Sequence, residues 1–221
     1  MEEKQYYKTV YNKFWVNQTK IYGHGEYTKK IVSLISKSAP KKVFEVAIGT
    51  GWPIGAALKA KGIEIDGCDI AETSVALAQE ELGNKNGIWI GTVQEYTGGI
   101  LYDVTYCVRS SWCIPDFYSV VEKMISMTKP GGYIIFDIMD RNSPYCLKHR
   151  LQNIKNDYYR FLGIDVDEQY GMHFISLYSM KHFLRKNNLI YQYWLERKIT
   201  QNRDRMNTPK VVFCCRKQEE S

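Results

Sequence analysis

The sequence predicts an α/β fold: a seven-stranded, mostly parallel sheet with helices on both faces and an antiparallel hairpin at its end. Three observations carry this expectation. Short apolar runs alternate with helical stretches through most of the chain, the mark of parallel strand–helix–strand units. Glycine- and proline-rich turns separate the runs from the helices that adjoin them. The last two apolar runs follow one another with no helix between them, as an antiparallel pair does.

The first strand is KKVFEVAI (41–48), broken by Gly49-Thr50-Gly51. A helix follows with Pro53 near its first turn, where the missing N–H would have had no partner, and continues through IGAALKAKG. The second strand, IEIDGCDI, ends near Asp69; AETSVALAQEELG is a helix of good formers closed by Gly83. GIWIGTV is the third strand and ILYDVTYCV the fourth. After a loop containing Pro115, the helix DFYSVVEKMISMT stops at Lys129-Pro130-Gly131-Gly132, because proline lacks the donor a helix needs. YIIFDIM is the fifth strand. Residues 141–177 have no simple period and many aromatic and basic residues, so they read as an insertion, with helical pieces around 145–162, that covers the substrate. The helix SMKHFLRKN and the strands LIYQYWLERKI and PKVVFCCRK complete the sheet, and there is no internal repeat.

A chain of 221 residues fits one domain, 1–221, with residues 1–39 as an N-terminal helical lid. With 44% hydrophobic and 24% charged residues, the composition is that of a globular protein and excludes disordered and fibrous classes. No apolar run approaches the roughly 20 residues of a membrane helix, and MEEKQYYKTVYNKFW lacks the apolar stretch of a secretory signal. A cytoplasmic protein without membrane insertion is expected. The six cysteines form no CxxC pair, so no metal site or redox dithiol is expected, and Cys214 and Cys215 should face opposite sides of one strand. The net charge of +6 permits an anionic partner, but the basic residues are spread out, with modest concentrations at Lys148-His149-Arg150 and from Arg197 to Arg205. That pattern favours a solvated surface over a nucleic-acid footprint.

In an open parallel sheet the ligand crevice lies beyond the carboxyl ends of the strands. Gly49-Thr50-Gly51 falls at one such end, where glycine lets backbone approach a ligand closely. Asp69 falls at the next, about twenty residues on, where a carboxylate can accept both hydroxyls of a ribose. Together they point to a nucleoside cofactor. A dinucleotide is disfavoured, because Ala47 precedes the turn and Trp52, Pro53 and Ile54 follow it instead of the further glycines that a pyrophosphate requires; a Walker-type phosphate loop is absent.

Over residues 40–140 the chain resembles the class I S-adenosylmethionine-dependent methyltransferase family, whose fold is a Rossmann-like sheet. VFEVAIGTG is similar to the family's first motif: Glu45 stands at the acidic position, Gly49 and Gly51 match glycines around Thr50, and Ala47 replaces the usual first glycine. GCDIAETSVALAQ is similar to the second, which makes Asp69 the ribose ligand and packs Ile70 on the adenine. ILYDVTYCV resembles the fourth-strand motif, with Asp103 at its acidic position, and KPGGYIIFDIM the turn into strand five. The family often sets an acidic side chain near the adenine amine after strand three. Here that stretch is GTVQEY, so the position falls to Thr92, Val93 and Gln94, with Thr92 or Gln94 offering an oxygen acceptor. The implied cofactor is S-adenosyl-L-methionine.

Methyl transfer from a sulfonium is an in-line displacement, so alignment and exclusion of water matter most, and an oxygen acceptor also wants a base. His24, in the polar loop YGHGEY, is the first candidate; His149 and His173 lie in the insertion, and His182 lies on a surface helix. Tyr11 and Trp15, with Tyr7, recur at near-helical spacing and would close an aromatic face on the sulfonium. Arg109, with Ser110 and Trp112, follows strand four, from which the family usually addresses the acceptor; it would bind a carboxylate or phosphate. The expected catalytic set is therefore His24, Arg109 and His149. The leading acceptor is a small, anionic or sugar-containing metabolite. An RNA methyltransferase ranks second, since RSSWCIP replaces the Asn/Asp-Pro-Pro-Tyr/Phe motif after strand four, and a non-catalytic binding module ranks third.

Overall fold

The computed structural model describes residues 8, 9, 12, 25–163, 173–196 and 209–219. Strands β1 (Lys42–Val46), β2 (Glu64–Asp69), β3 (Ile88–Ile90), β4 (Tyr102–Cys107) and β5 (Thr128–Ile138) run parallel in the order β3-β2-β1-β4-β5. The sheet is completed by β6 (Ile190–Glu196) at the edge and β7 (Lys210–Arg216), which lies antiparallel between β5 and β6. This is the expected seven-stranded α/β sheet.

Burial alternates along each strand because successive side chains point to opposite faces. Val43, Val104, Tyr106 and Val212 meet α1 (Glu26–Ser36), α2 (Ile54–Lys59) and α3 (Glu72–Leu82) through Tyr27, Ile31, Ile35, Leu58, Val75 and Ala78. Phe44, Phe136 and Phe213 meet α4 (Phe117–Met127) on the opposite face. Beyond α5 (Pro144–Phe161), α6 (Leu177–Lys186) adds Met180 and Leu184 to that second core. Cys215 packs in one core and Cys214 against the other, as the strand period requires. Of residues 1–39, Glu26–Ser36 form α1, a core helix. Both ends of the 141–177 segment are tied to the carboxyl end of the sheet. Arg141 N–H donates to Ile175 O (3.0 Å), Ile175 N–H to Met139 O (3.1 Å) and His173 N–H to Trp112 O (2.8 Å).

Two boundaries differ from expectation. The third strand stops at Ile90, and Val93–Glu95 coil into a 3-10 turn. The fifth begins at Thr128 and passes through Pro130-Gly131-Gly132. Its pairing with β4 shifts register between Tyr102 and Val104, and Gly131 takes φ +75°, so glycine turns a break into an irregularity within the strand.

Asp103, the acidic position of the fourth-strand motif, lies at the amino end of the sheet, away from the crevice. Its Oδ2 accepts the N–H groups of Lys41 and Lys42 (both 2.9 Å), and its Oδ1 pairs with Lys129 Nζ (2.6 Å). Burial alone would raise this carboxyl's pKa, but the Lys129 ammonium and the two amides outweigh it and hold the group below its ordinary value. Asp103 therefore fixes where β1 starts. Among the described residues, no helix is long and apolar enough to cross a membrane.

Candidate active site

The turn from β1 into α2 carries three left-handed residues, Ala47 (φ +55°), Gly49 (φ +57°) and Gly51 (φ +72°). They wrap the chain so that Ile48 N–H donates to Cys68 O (3.0 Å) and Gly51 N–H to Ile48 O (3.0 Å). Ala47 is the strained member, because a Cβ in this region costs roughly 1–2 kcal/mol. Glycine would relieve that strain but lose about 0.5–1 kcal/mol to the entropy of the unfolded chain. Ala47→Gly is therefore expected to raise stability by up to about 1 kcal/mol, read as a higher urea midpoint at unchanged slope. A lower midpoint would mean that the native turn does not hold Ala47 left-handed.

The two glycines of the turn do different work. A Cβ on Gly51 would lie 3.1 Å from Leu82, so this glycine lets α3 pack closely against the turn. A Cβ on Gly49 would meet no protein atom within 4 Å. Its open side faces the crevice, a cradle in which backbone can touch a ligand directly.

Asp69, at the end of β2, closes this cradle. Its Oδ2 accepts Gly49 N–H (2.9 Å) and its Oδ1 accepts Ala71 N–H (2.9 Å), which leaves further lone pairs for donors from outside the protein. Burial raises its pKa, against the opposing pull of the amides of Ala71, Gly49 and Ile70. Ile70 is half-buried beside it. Asn12 Oδ1 accepts Thr73 N–H (3.0 Å) and Lys8 Nζ pairs with Glu72 (2.6 Å), so residues 8 and 12 touch the first turn of α3 next to Asp69.

Beyond β3, Val93 is packed in the core. Gln94 is exposed, and its amide donates to Ser119 Oγ (3.1 Å). Thr92 Oγ1 donates to Glu95 Oε1 (3.0 Å), and Glu95 Oε2 occupies the space that a Cβ on Gly91 would need. The 3-10 turn thus returns a carboxylate to the end of β3, where the sequence offered neutral candidates.

Glu45 lies buried under the turn, with Oε2 accepting Tyr106 OH (2.8 Å). Burial pushes its carboxyl to about 8, against the Tyr106 bond and the Arg109 charge, with Asp69 adding to the rise. A folded-state pKa above the unfolded value means that the native protein holds the extra proton between 4.5 and about 8. This contribution to stability is complete below 4.5 and is lost as pH rises through about 8. Glu45→Gln keeps an acceptor for Tyr106 and is expected to flatten the fall in urea midpoint between those pH values; an unchanged profile would show that Glu45 is ionised in the native state.

Arg109 is not an exposed loop residue. At φ +65° its N–H donates to Asp137 Oδ2 (2.9 Å), its guanidinium donates to Thr28 Oγ1 (3.0 Å) and lies 5.0 Å from the centre of the Tyr27 ring, and its carbonyl accepts Trp112 Nε1 (2.9 Å). His149, on α5, is half-buried with its ring 6.3 Å from that of Phe174. His182 is exposed on α6. His24, Tyr11 and Trp15 lie outside the described residues.

Residues 44–136, which span β1 to the body of β5 and hold the Gly49 cradle and Asp69, match the family model described as a methyltransferase domain. Over this span the chain is similar to the methyltransferase family whose motifs its sequence resembles. The chain is 26% identical over 187 residues to the ubiquinone biosynthesis O-methyltransferase of Acinetobacter baumannii (strain ACICU), covering 71% of this chain and 72% of that one. Its fold is similar to that of the magnesium protoporphyrin IX methyltransferase of Synechocystis PCC 6803 with bound S-adenosylhomocysteine (TM-score 0.69, 13% identity, 98% of this chain and 100% of that one). It is also similar to that of the N-methyltransferase NodS of Bradyrhizobium japonicum with the same ligand (TM-score 0.60, 13% identity, 88% and 87%).

Proposed function

We propose that this protein is a cytoplasmic methyltransferase that moves the methyl group of S-adenosylmethionine to a small, anionic or sugar-containing metabolite. The observation that carries the reading is the pairing of an open-sided Gly49 with Asp69, whose carboxylate oxygens keep unused lone pairs. Asp69 would accept the ribose hydroxyls, Ile70 would pack on the adenine, and Glu95 would accept the adenine amine. Glu45, below the turn, would sense the cationic end of the cofactor, which supplies an electrophilic methyl group when bound. Thr50 and Gly51 shape the turn, while Ala47 supplies the backbone bend that the family usually gives to glycine. The 141–177 segment, tied at its ends to the carboxyl end of the sheet, and Lys8 and Asn12, beside Asp69, support covers on both sides of the crevice. The relatives named for ubiquinone biosynthesis and for magnesium protoporphyrin IX favour a small acceptor over RNA.

The test is titration calorimetry with S-adenosylmethionine and S-adenosylhomocysteine, followed by incubation of the protein, labelled S-adenosylmethionine and a cell extract. Micromolar binding and label in the low-molecular-weight fraction support the proposal. Label retained on RNA would replace the acceptor class, binding without transfer to any fraction would make the protein a binding module, and absence of binding would overturn the cofactor site.

A further inference from the structure

A second cluster lies at the carboxyl end of β4 and β5, on the face that carries α1. Asp137 is fully buried; its Oδ2 accepts both Tyr27 OH and Arg109 N–H, while its Oδ1 has no hydrogen-bond partner. Lys210, the first residue of β7, is 1% exposed, and its Nζ has no hydrogen-bond partner either. Asp137 pairs in register with Val212, and Lys210 lies two residues earlier on the same strand, so both side chains rise from one face. They form no ion pair with each other. Glu196, across the ladder from Lys210, is engaged by Lys30 (2.8 Å). The Arg109 guanidinium and the thiols of Cys113 and Cys146 complete the titratable surroundings of Lys210.

An unpaired ammonium and an unpaired carboxylate oxygen, each buried, cost several kcal/mol in a purely structural role, and two groups so placed would be expected to pair. One is a donor without an acceptor and the other an acceptor without a donor. A hydroxyl satisfies both at once. The cluster sits beside Arg109, at the strand end from which the acceptor must be presented to the cofactor cradle. We propose that Asp137 and Lys210 bind the acceptor's hydroxyl oxygen directly and make this enzyme an O-methyltransferase for an acidic, phenol-like hydroxyl. The hydroxyl proton passes to Asp137 Oδ1 while the bonding pair stays on oxygen, where the Lys210 ammonium stabilises it. That oxygen forms the new bond to the methyl carbon as the carbon–sulfur bond breaks and its pair returns to sulfur. The products are a methyl ether, S-adenosylhomocysteine and a protonated Asp137, which returns its proton to solvent. Burial lowers the pKa of Lys210 and Asp137 opposes this, so an anionic oxygen bound nearby would hold the lysine charged.

The inference rests on the proposed cofactor site, and S-adenosylhomocysteine binding separates the two. The probe is 4-nitrophenol, whose ionisation is visible as colour. With S-adenosylhomocysteine bound, at a pH where the free probe is mostly protonated, the intact protein should shift its absorbance to the ionised band. Lys210→Met, apolar and of similar length, should bind S-adenosylhomocysteine unchanged, melt no lower than the parent, and bind the ionised probe at least about tenfold more weakly. Asp137→Asn removes the group that takes the hydroxyl proton, so the shift should shrink while the probe is still bound; unchanged binding of S-adenosylhomocysteine in both variants separates these roles from general damage. The Asp137→Asn result also stands alone if Lys210→Met fails to fold. A Lys210→Met protein that keeps the shift, an Asp137→Asn protein that keeps it in full, or an intact complex that leaves the probe's spectrum unchanged would overturn the inference. Failure to bind S-adenosylhomocysteine at all would remove the cofactor reading beneath it.

Discussion

Replacing Asp69 by alanine is expected to weaken the binding of S-adenosylmethionine and S-adenosylhomocysteine by about 100-fold. Two charge-assisted hydrogen bonds to ribose hydroxyls, at about 1.5 kcal/mol each, account for that factor. Asparagine should do nearly as badly. Both carboxylate oxygens already accept backbone N–H groups, from Gly49 and Ala71, and an amide nitrogen in either place would face a donor with a donor. Loss of these bonds also frees the β1–α2 turn, so both variants should unfold earlier, by about 1–3 kcal/mol. Because burial raises the Asp69 pKa, cofactor binding by the intact protein should weaken on the acid side sooner than it would for an exposed carboxylate. Calorimetry across that range, with Asp69→Ala as the baseline, checks both claims. An alanine variant that binds as the parent does would remove Asp69 from the site.

The proposed cofactor half of the site can be read from the sequence because its determinants are local. Gly49-Thr50-Gly51 and Asp69 sit at ends of strands whose apolar runs announce themselves, and a parallel sheet places such ends together. The same period put Cys214 and Cys215 on opposite faces. Glu95, proposed for the adenine amine, carries no signal in the sequence because only a 3-10 turn, which leaves no hydrophobic period over three residues, folds it back towards Gly91. The proposed acceptor half is illegible for a different reason. Tyr27, Arg109, Asp137 and Lys210 come from α1, the loop after β4, β5 and β7, and no spacing in the chain foretells their meeting. Arg109 illustrates this: its place after the fourth strand does not foretell the bond from its amide to Asp137 or its guanidinium on Thr28, which take it out of an exposed loop. Nothing in the run PKVVFCCRK marks Lys210; only the register sets it, buried, on the face of Asp137.

Gly67→Ala is expected to be among the most damaging single methyl groups in the sheet, at about 3 kcal/mol, a large part of the roughly 5–15 kcal/mol that holds a domain together. Gly67 on β2 faces Glu45 on β1, and a Cβ there would lie 2.7 Å from the Glu45 carbonyl oxygen and 2.8 Å from Ile48 Cδ1. A backbone oxygen held in a ladder cannot swing aside as a side-chain tip can, so β2 would have to move away from β1. That displacement would strain the Ile48–Cys68 and Gly49–Asp69 bonds that shape the cofactor cradle, and cofactor affinity should fall with stability. Gly49→Ala is the informative counterpart. Its Cβ meets no protein atom within 4 Å, so its cost to folding is limited to the left-handed backbone, about 1–2 kcal/mol, while the methyl group occupies the space proposed for the cofactor. Urea denaturation and S-adenosylhomocysteine calorimetry on the two variants should therefore rank them in opposite orders, Gly67→Ala worse in stability and Gly49→Ala worse in affinity relative to its stability. If Gly49→Ala binds as the parent does, the open side of that glycine is not where the ligand lies, and the assignment of the cradle fails even though the fold is right.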